Sequence, residues 1–175
     1  MPCTYEPGFR QTRIFQTCEA MARQILGPGA EFLFDHAMMK PASGGKPTPW
    51  HQDQAFFELG ARYASITFWV PLQDVERGNG CLRFVPRSSA GPLYNHRSLN
   101  ADPAAHGLEA LGDNGAVLTV KDGGGETGRA IYCPLKAGGV TIHHRLTLHG
   151  AGQNLTAVPR RAYAMGFGVA LSEPI

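Results

Sequence analysis

Ser65-Ile66-Thr67-Phe68-Trp69-Val70-Pro71-Leu72 is the clearest strand in the chain. Ile66, Phe68, Val70 and Leu72 alternate with Ser65, Thr67 and Trp69, so one face is wholly apolar and the other mixes hydroxyls with an indole. The apolar face calls for a packed layer against it. The mixed face suits the lining of a cavity better than a dry core.

Upstream, Phe32 to Lys40 alternates as a second strand, ends at Pro41, and puts His36, Met38 and Lys40 on one face. Before it, residues 11–26 carry the one good helical pattern. Ile14, Cys18, Met21, Ala22 and Ile25 recur at three- and four-residue spacing until Gly27-Pro28-Gly29 stops the run. Downstream, Arg77-Gly78-Asn79-Gly80 is a turn, and Cys81 to Val85 is expected to return as the second strand of a hairpin. Residues 86–115 lack periodicity and read as a long excursion, a lid or a loop. Val117–Lys121, Arg129–Cys133, Gly138–His144, Thr147–His149 and Arg160–Val169 are further strand candidates, with Gly138–His144 and Thr147–His149 expected as a strand pair or one bent strand. At least seven short strands, dense turns and one helix predict an all-β-dominated, double-sheet jelly roll of the cupin type, with the helix packed on a sheet. One domain spanning 1–175 is expected.

Composition narrows the function classes. The 22 glycines and 13 prolines among 175 residues far exceed the average share of about 12%. Sixteen basic and 14 acidic side chains leave a net charge of +2, too small to argue for nucleic acid or a membrane surface. No apolar run approaches the roughly 18 residues of a membrane span, and the start of the chain has no secretory pattern. Cys3, Cys18, Cys81 and Cys133 lack C-x-x-C spacing and read as reduced thiols. A cytoplasmic protein acting on a small molecule is expected. Nothing in the sequence sets an oligomeric state.

The chemistry sits in Trp50-His51-Gln52-Asp53. In extended backbone His51 and Asp53 share a face while Gln52 looks away. One imidazole and one carboxylate two apart, with a second imidazole from elsewhere, make the facial triad of non-haem Fe(II) oxygenases. His149, at the end of Leu146-Thr147-Leu148, is the candidate second imidazole. His143 and His144 are neighbours in a strand and cannot both face one ion. Arg160 shares a face with Ala162, Ala164, Gly166 and Gly168, which leaves room beside a fork that binds carboxylates bidentately. Gly123 to Gly128 formally matches G-x-G-x-x-G, but the strand-like run Arg129 to Pro134 follows instead of a helix, so no dinucleotide site is expected.

His51-Gln52-Asp53, Trp69, the Asp74-to-Pro86 run, His149-Gly150-Ala151-Gly152-Gln153-Asn154 and Arg160 together resemble the phytanoyl-CoA dioxygenase family over about residues 32–170. The resemblance implies a double-stranded β-helix and an Fe(II)- and 2-oxoglutarate-dependent dioxygenase. Such an enzyme uses O2 to hydroxylate an unactivated C–H of a small organic or acyl substrate, releasing succinate and CO2. It implies His51, Asp53 and His149 as catalytic iron ligands, Arg160 as partner of the distal 2-oxoglutarate carboxylate, and Trp69, Lys40 and His36 as lining of the cosubstrate pocket. Related halogenases carry a small residue at the carboxylate position, so Asp53 points to hydroxylation. Three departures stand out: Ala151 replaces a frequent serine, Gly138-Gly139 replaces a usual Gly-Asp, and little helical sequence precedes the barrel. Two other classes share the ligand set. One is a jelly-roll metal- or ligand-binding protein in which Arg160 and Trp69 are idle; the other is a degenerate, inactive family member.

Overall fold

The computed structural model describes residues 1–57, 63–99, 107–123 and 129–171. Two helices, α1 (Pro2–Tyr5) and α2 (Arg13–Leu26), precede ten strands: β1 (Glu31–Lys40), β2 (Thr48–His51), β3 (Tyr63–Pro71), β4 (Leu82–Phe84), β5 (Asn95–Ser98), β6 (Leu108–Leu111), β7 (Ile131–Cys133), β8 (Thr141–His144), β9 (His149–Ala151) and β10 (Arg160–Ala170). Antiparallel pairing gives one four-stranded sheet in the order β1-β10-β3-β8 and a second in the order β2-β9-β4-β7, with β5 and β6 as a separate hairpin. Sandwiching the two sheets gives the expected jelly roll.

The alternation of β3 sets the layers. Ile66, Phe68 and Val70 pack outward with Met165 and Phe167 of β10 and with Phe15, Cys18 and Ala22 of α2. Thr12 caps that helix by accepting the Phe15 N–H, and Gly27 at φ 102° ends it. Phe15 meets Phe32 and Phe167 at centroid separations of 5.2 and 5.7 Å, which fixes the helix on the sheet. Trp69 faces the other way, into the sandwich, with Val75, Cys81, Leu82, Ala151, Ala162 and Ala164. The alanines opposite the indole are small, so the wall of the sandwich at that level is set by Trp69 itself.

On the outer layer a buried carboxylate ties down the N-terminal turn. Asp35 accepts the Tyr163 hydroxyl at 2.6 Å and the Cys3 N–H at 2.8 Å. All four cysteines are free thiols. No helix among the described residues is long and apolar enough to cross a membrane.

Several local expectations are corrected. Leu72 lies past Pro71 in solvent, and Ile25 is exposed on α2 instead of completing its apolar stripe. β4 does not return beside β3; it pairs with β7 and β9 in the opposite sheet. The turn that redirects it has a Glu76–Asn79 capping box and Gly80 at φ +83°, where a Cβ would lie 2.8 Å from the Gly152 carbonyl oxygen. β8 and β9 are neither a pair nor one bent strand, since β8 joins β3 while β9 joins β2 and β4. Val117 to Lys121 forms no strand, only a bridge from Val117 to Leu111. The 86–115 excursion contains the β5–β6 hairpin, although residues 100–106 lie outside the described residues, as do 124–128 of the glycine-rich turn.

Candidate metal centre

His51 closes β2 and His149 opens β9, and the two are directly paired across the antiparallel ladder. Paired residues project to the same side, so the rings come within 4.2 Å, centroid to centroid. Gly150 permits that approach: a Cβ there would stand 2.9 Å from the Thr48 carbonyl oxygen. Gln52 continues the extended backbone, and Asp53 begins a 3-10 turn through Phe56. Its Oδ1 lies 3.7 Å from His51 Nε2 and 3.4 Å from His149 Nε2, and one ligand atom from each residue falls within 4.8 Å of the others.

Tautomers and charges suit a cation. His51 Nδ1 is 2.9 Å from the Pro49 carbonyl oxygen and His149 Nδ1 is 2.9 Å from that of Thr147. Each Nδ1 donates to its carbonyl, which leaves the Nε2 lone pairs turned toward Asp53. Burial pushes the His51 imidazole below its ordinary pKa and His149 well below. Burial alone would raise the Asp53 carboxyl, but His149, His143 and His51 hold it well below the usual carboxylate range. Two neutral imidazoles and one ionised carboxylate are the protonation state that a divalent metal requires.

A second polar group lies along β1 and β10. Lys40 and Arg160 are paired in register, both buried, and the Arg160 guanidinium lies 5.2 Å from the centre of the Trp69 ring. Lys40 Nζ donates to the Lys46 carbonyl at 2.6 Å and to the Thr48 hydroxyl at 2.9 Å. Among the described residues neither cation meets a carboxylate, and Arg160 Nε has no hydrogen-bond partner. Burial, then the nearby Arg160 and Arg83 charges, push Lys40 down to about 8; burial pushes Arg160 down to about 10. Two buried cations that meet no carboxylate among the described residues could hold an anion. His36 sits farther along the same face of β1, its ring 5.5 Å from Phe34, two positions past Met38. Ala151 is buried and brings no hydroxyl.

A profile of the phytanoyl-CoA dioxygenase (PhyH) family matches residues 5–162. The chain belongs to the PhyH family. Among curated relatives, it is 30% identical over 155 residues to a probable alpha-ketoglutarate-dependent hypophosphite dioxygenase of Stutzerimonas stutzeri, covering 89% of this chain and 51% of that protein. It is 29% identical over 145 residues to the peroxisomal phytanoyl-CoA dioxygenase of Rattus norvegicus, covering 80% and 40%. The crystal structure of EvdO2 from Micromonospora carbonacea var. aurantiaca superposes with a TM-score of 0.81 at 32% identity, over 99% of this chain and 68% of that one. EvdO2 has also been solved complexed with 2-oxoglutarate. The chain thus spans about half the length, or less, of the curated PhyH-family relatives it matches.

Three residues of this PhyH-family site were not legible as functional. Thr67 and His143 both address Asp53 Oδ2, at 2.7 and 3.2 Å. Strand alternation turns His143 inward and His144 away, but only the β3–β8 register, which pairs Thr67 with His143, brings that ring to the carboxylate. Gln52 looks away from the centre as expected, yet it is fully buried. Its side chain donates to the Pro92 and Leu146 carbonyls and accepts the Tyr94 N–H at 2.8 Å. Its own N–H donates to His96 Nε2 at 3.1 Å. The residue between two candidate ligands therefore clamps the start of the 86–115 excursion. Gln52→Leu leaves those backbone groups unpaired and is expected to cost about 2–4 kcal/mol. Thermal unfolding with amide exchange over residues 92–96 checks it; an unchanged Tm with slow exchange there would refute the clamp.

Proposed function

We propose that this chain is an Fe(II)- and 2-oxoglutarate-dependent dioxygenase that hydroxylates an unactivated C–H of a small organic or acyl substrate and releases succinate and CO2. One observation carries the reading. A neutral-imidazole and carboxylate triad at the β2–β9 junction shares the barrel with two buried cations that have no counterion among the described residues. His51, Asp53 and His149 would hold the metal, leaving positions for a chelating cosubstrate and O2. Iron with 2-oxoglutarate and O2 supplies the oxidising power, coupling decarboxylation of the cosubstrate to oxidation of the substrate. Arg160 and Lys40 neutralise the far carboxylate of the cosubstrate, and Trp69 forms the wall under the guanidinium. Donation from the two Nδ1 atoms to backbone carbonyls keeps the ligand rings from turning. A cavity of about 400 Å3 between β7 and β8, with Phe84, Ile131, Cys133 and Thr141 among its walls, is of a size for a small organic molecule.

Anaerobic addition of Fe(II) and then 2-oxoglutarate should produce a visible charge-transfer band. A folded, iron-loaded protein that shows no band on saturation with 2-oxoglutarate would overturn the reading. Lys40 gives the binding a pH signature. With its free-protein pKa near 8, the ammonium is fully charged below that pH and is lost above it. A bound dicarboxylate restores the charge, so binding takes up a proton above pH 8 and none below. The 2-oxoglutarate Kd should weaken about tenfold between pH 7 and pH 9. Lys40→Met should flatten that slope. Calorimetry in two buffers of different ionisation enthalpy measures the proton uptake; equal heats at pH 8.5 would exclude Lys40 as a cosubstrate partner.

A further inference from the structure

We propose that His143 is the positioning residue of the metal carboxylate, holding Asp53 so that a single oxygen faces the ligand imidazoles. The proposal rests on reading His51, Asp53 and His149 as the metal site. Asp53 splits its two oxygens: Oδ1 faces His51 and His149, and Oδ2 faces Thr67 and His143. A carboxylate free to rotate would carry Oδ1 away from the two imidazoles and would have to be ordered again for a metal to bind. Two donors on Oδ2, from two adjacent strands, oppose that rotation.

The direction of the His143 bond follows from its surroundings. Its Nδ1 is buried and has no hydrogen-bond partner among the described residues. The Asp53 carboxylate only accepts, so the ring proton sits on Nε2 and is donated. The ring is packed at 5.2 Å from Phe84 and 4.3 Å from His149, centroid to centroid, which holds its plane. A role as fourth ligand does not fit, because its Nε2 addresses the oxygen turned away from the other imidazoles. His144 takes no part; its Nδ1 accepts the Leu146 N–H at 3.2 Å.

The test is anaerobic Co(II) titration of wild type, His143→Phe, His143→Gln and His143→Asn, with circular dichroism to check folding. Phe keeps the ring packing without a donor, Gln places an amide donor near the position of Nε2, and the Asn amide is too short to reach. Co(II) affinity should fall about 10- to 100-fold in the Phe and Asn variants and stay within about threefold of wild type for Gln. Phe or Asn binding as tightly as wild type overturns the proposal, as does Gln binding as weakly as Phe. Should the Phe variant not fold, the contrast of Asn with Gln decides alone. A wild type that binds no Co(II) refutes the metal site itself and the positioning role with it, whereas tight binding by every variant refutes only the positioning role.

Discussion

Asp53→Ala is expected to abolish iron-dependent turnover, by at least about a thousandfold, because it removes the anionic member of the proposed metal-ligand set. His51 and His149 would remain but bring no charge, since burial holds both imidazoles below their ordinary pKa. Two neutral nitrogens alone do not offset the desolvation of a dication. The same substitution frees the Thr67 hydroxyl and His143 Nε2, which both address Asp53 Oδ2. A modest shift in Tm should accompany the loss, so folding must be measured beside Fe(II) binding and succinate release. Fe(II) affinity equal to wild type in a folded Asp53→Ala variant would place the metal elsewhere.

Arg160→Ala should leave Fe(II) affinity unchanged and raise the 2-oxoglutarate Kd about a hundredfold or more, the scale for removing one partner of a buried charge pair. Arg160 lies under the Trp69 ring, is paired in register with Lys40, and is not among the three candidate ligands. Its removal also relieves one of the charges that depress Lys40. Residual binding should therefore lose its dependence on pH near 8 and carry it to higher pH. Arg160→Lys keeps the charge but not the planar fork, and should fall between the two. A charge-transfer titration that gives Arg160→Ala a Kd within threefold of wild type would show that the distal carboxylate rests on other residues.

Local pattern carried much of the fold. Period-2 alternation in β1, β3 and β10 and the helical spacing of α2 are properties of a few consecutive side chains, so they are readable without neighbours. The H-x-D triplet, the distant His149 and the small-residue face around Arg160 were readable for the same reason, since each depends on residue type and spacing along one segment. The hairpin reading of Cys81 to Val85 failed because a ten-residue connection with a capping box can cross to another sheet as readily as it can turn back.

What the sequence by itself determined is the long strands β1, β3 and β10, the facing of their side chains and the residue types of the candidate site. What the tertiary structure alone decided is partnership. The pairing of His51 with His149, the β3–β8 register that delivers His143 to Asp53, and the burial of Gln52 under the 92–96 segment join residues 40 to 98 positions apart. Such contacts are chosen by which apolar faces cover one another across the whole sandwich, and no stretch of consecutive residues encodes that choice.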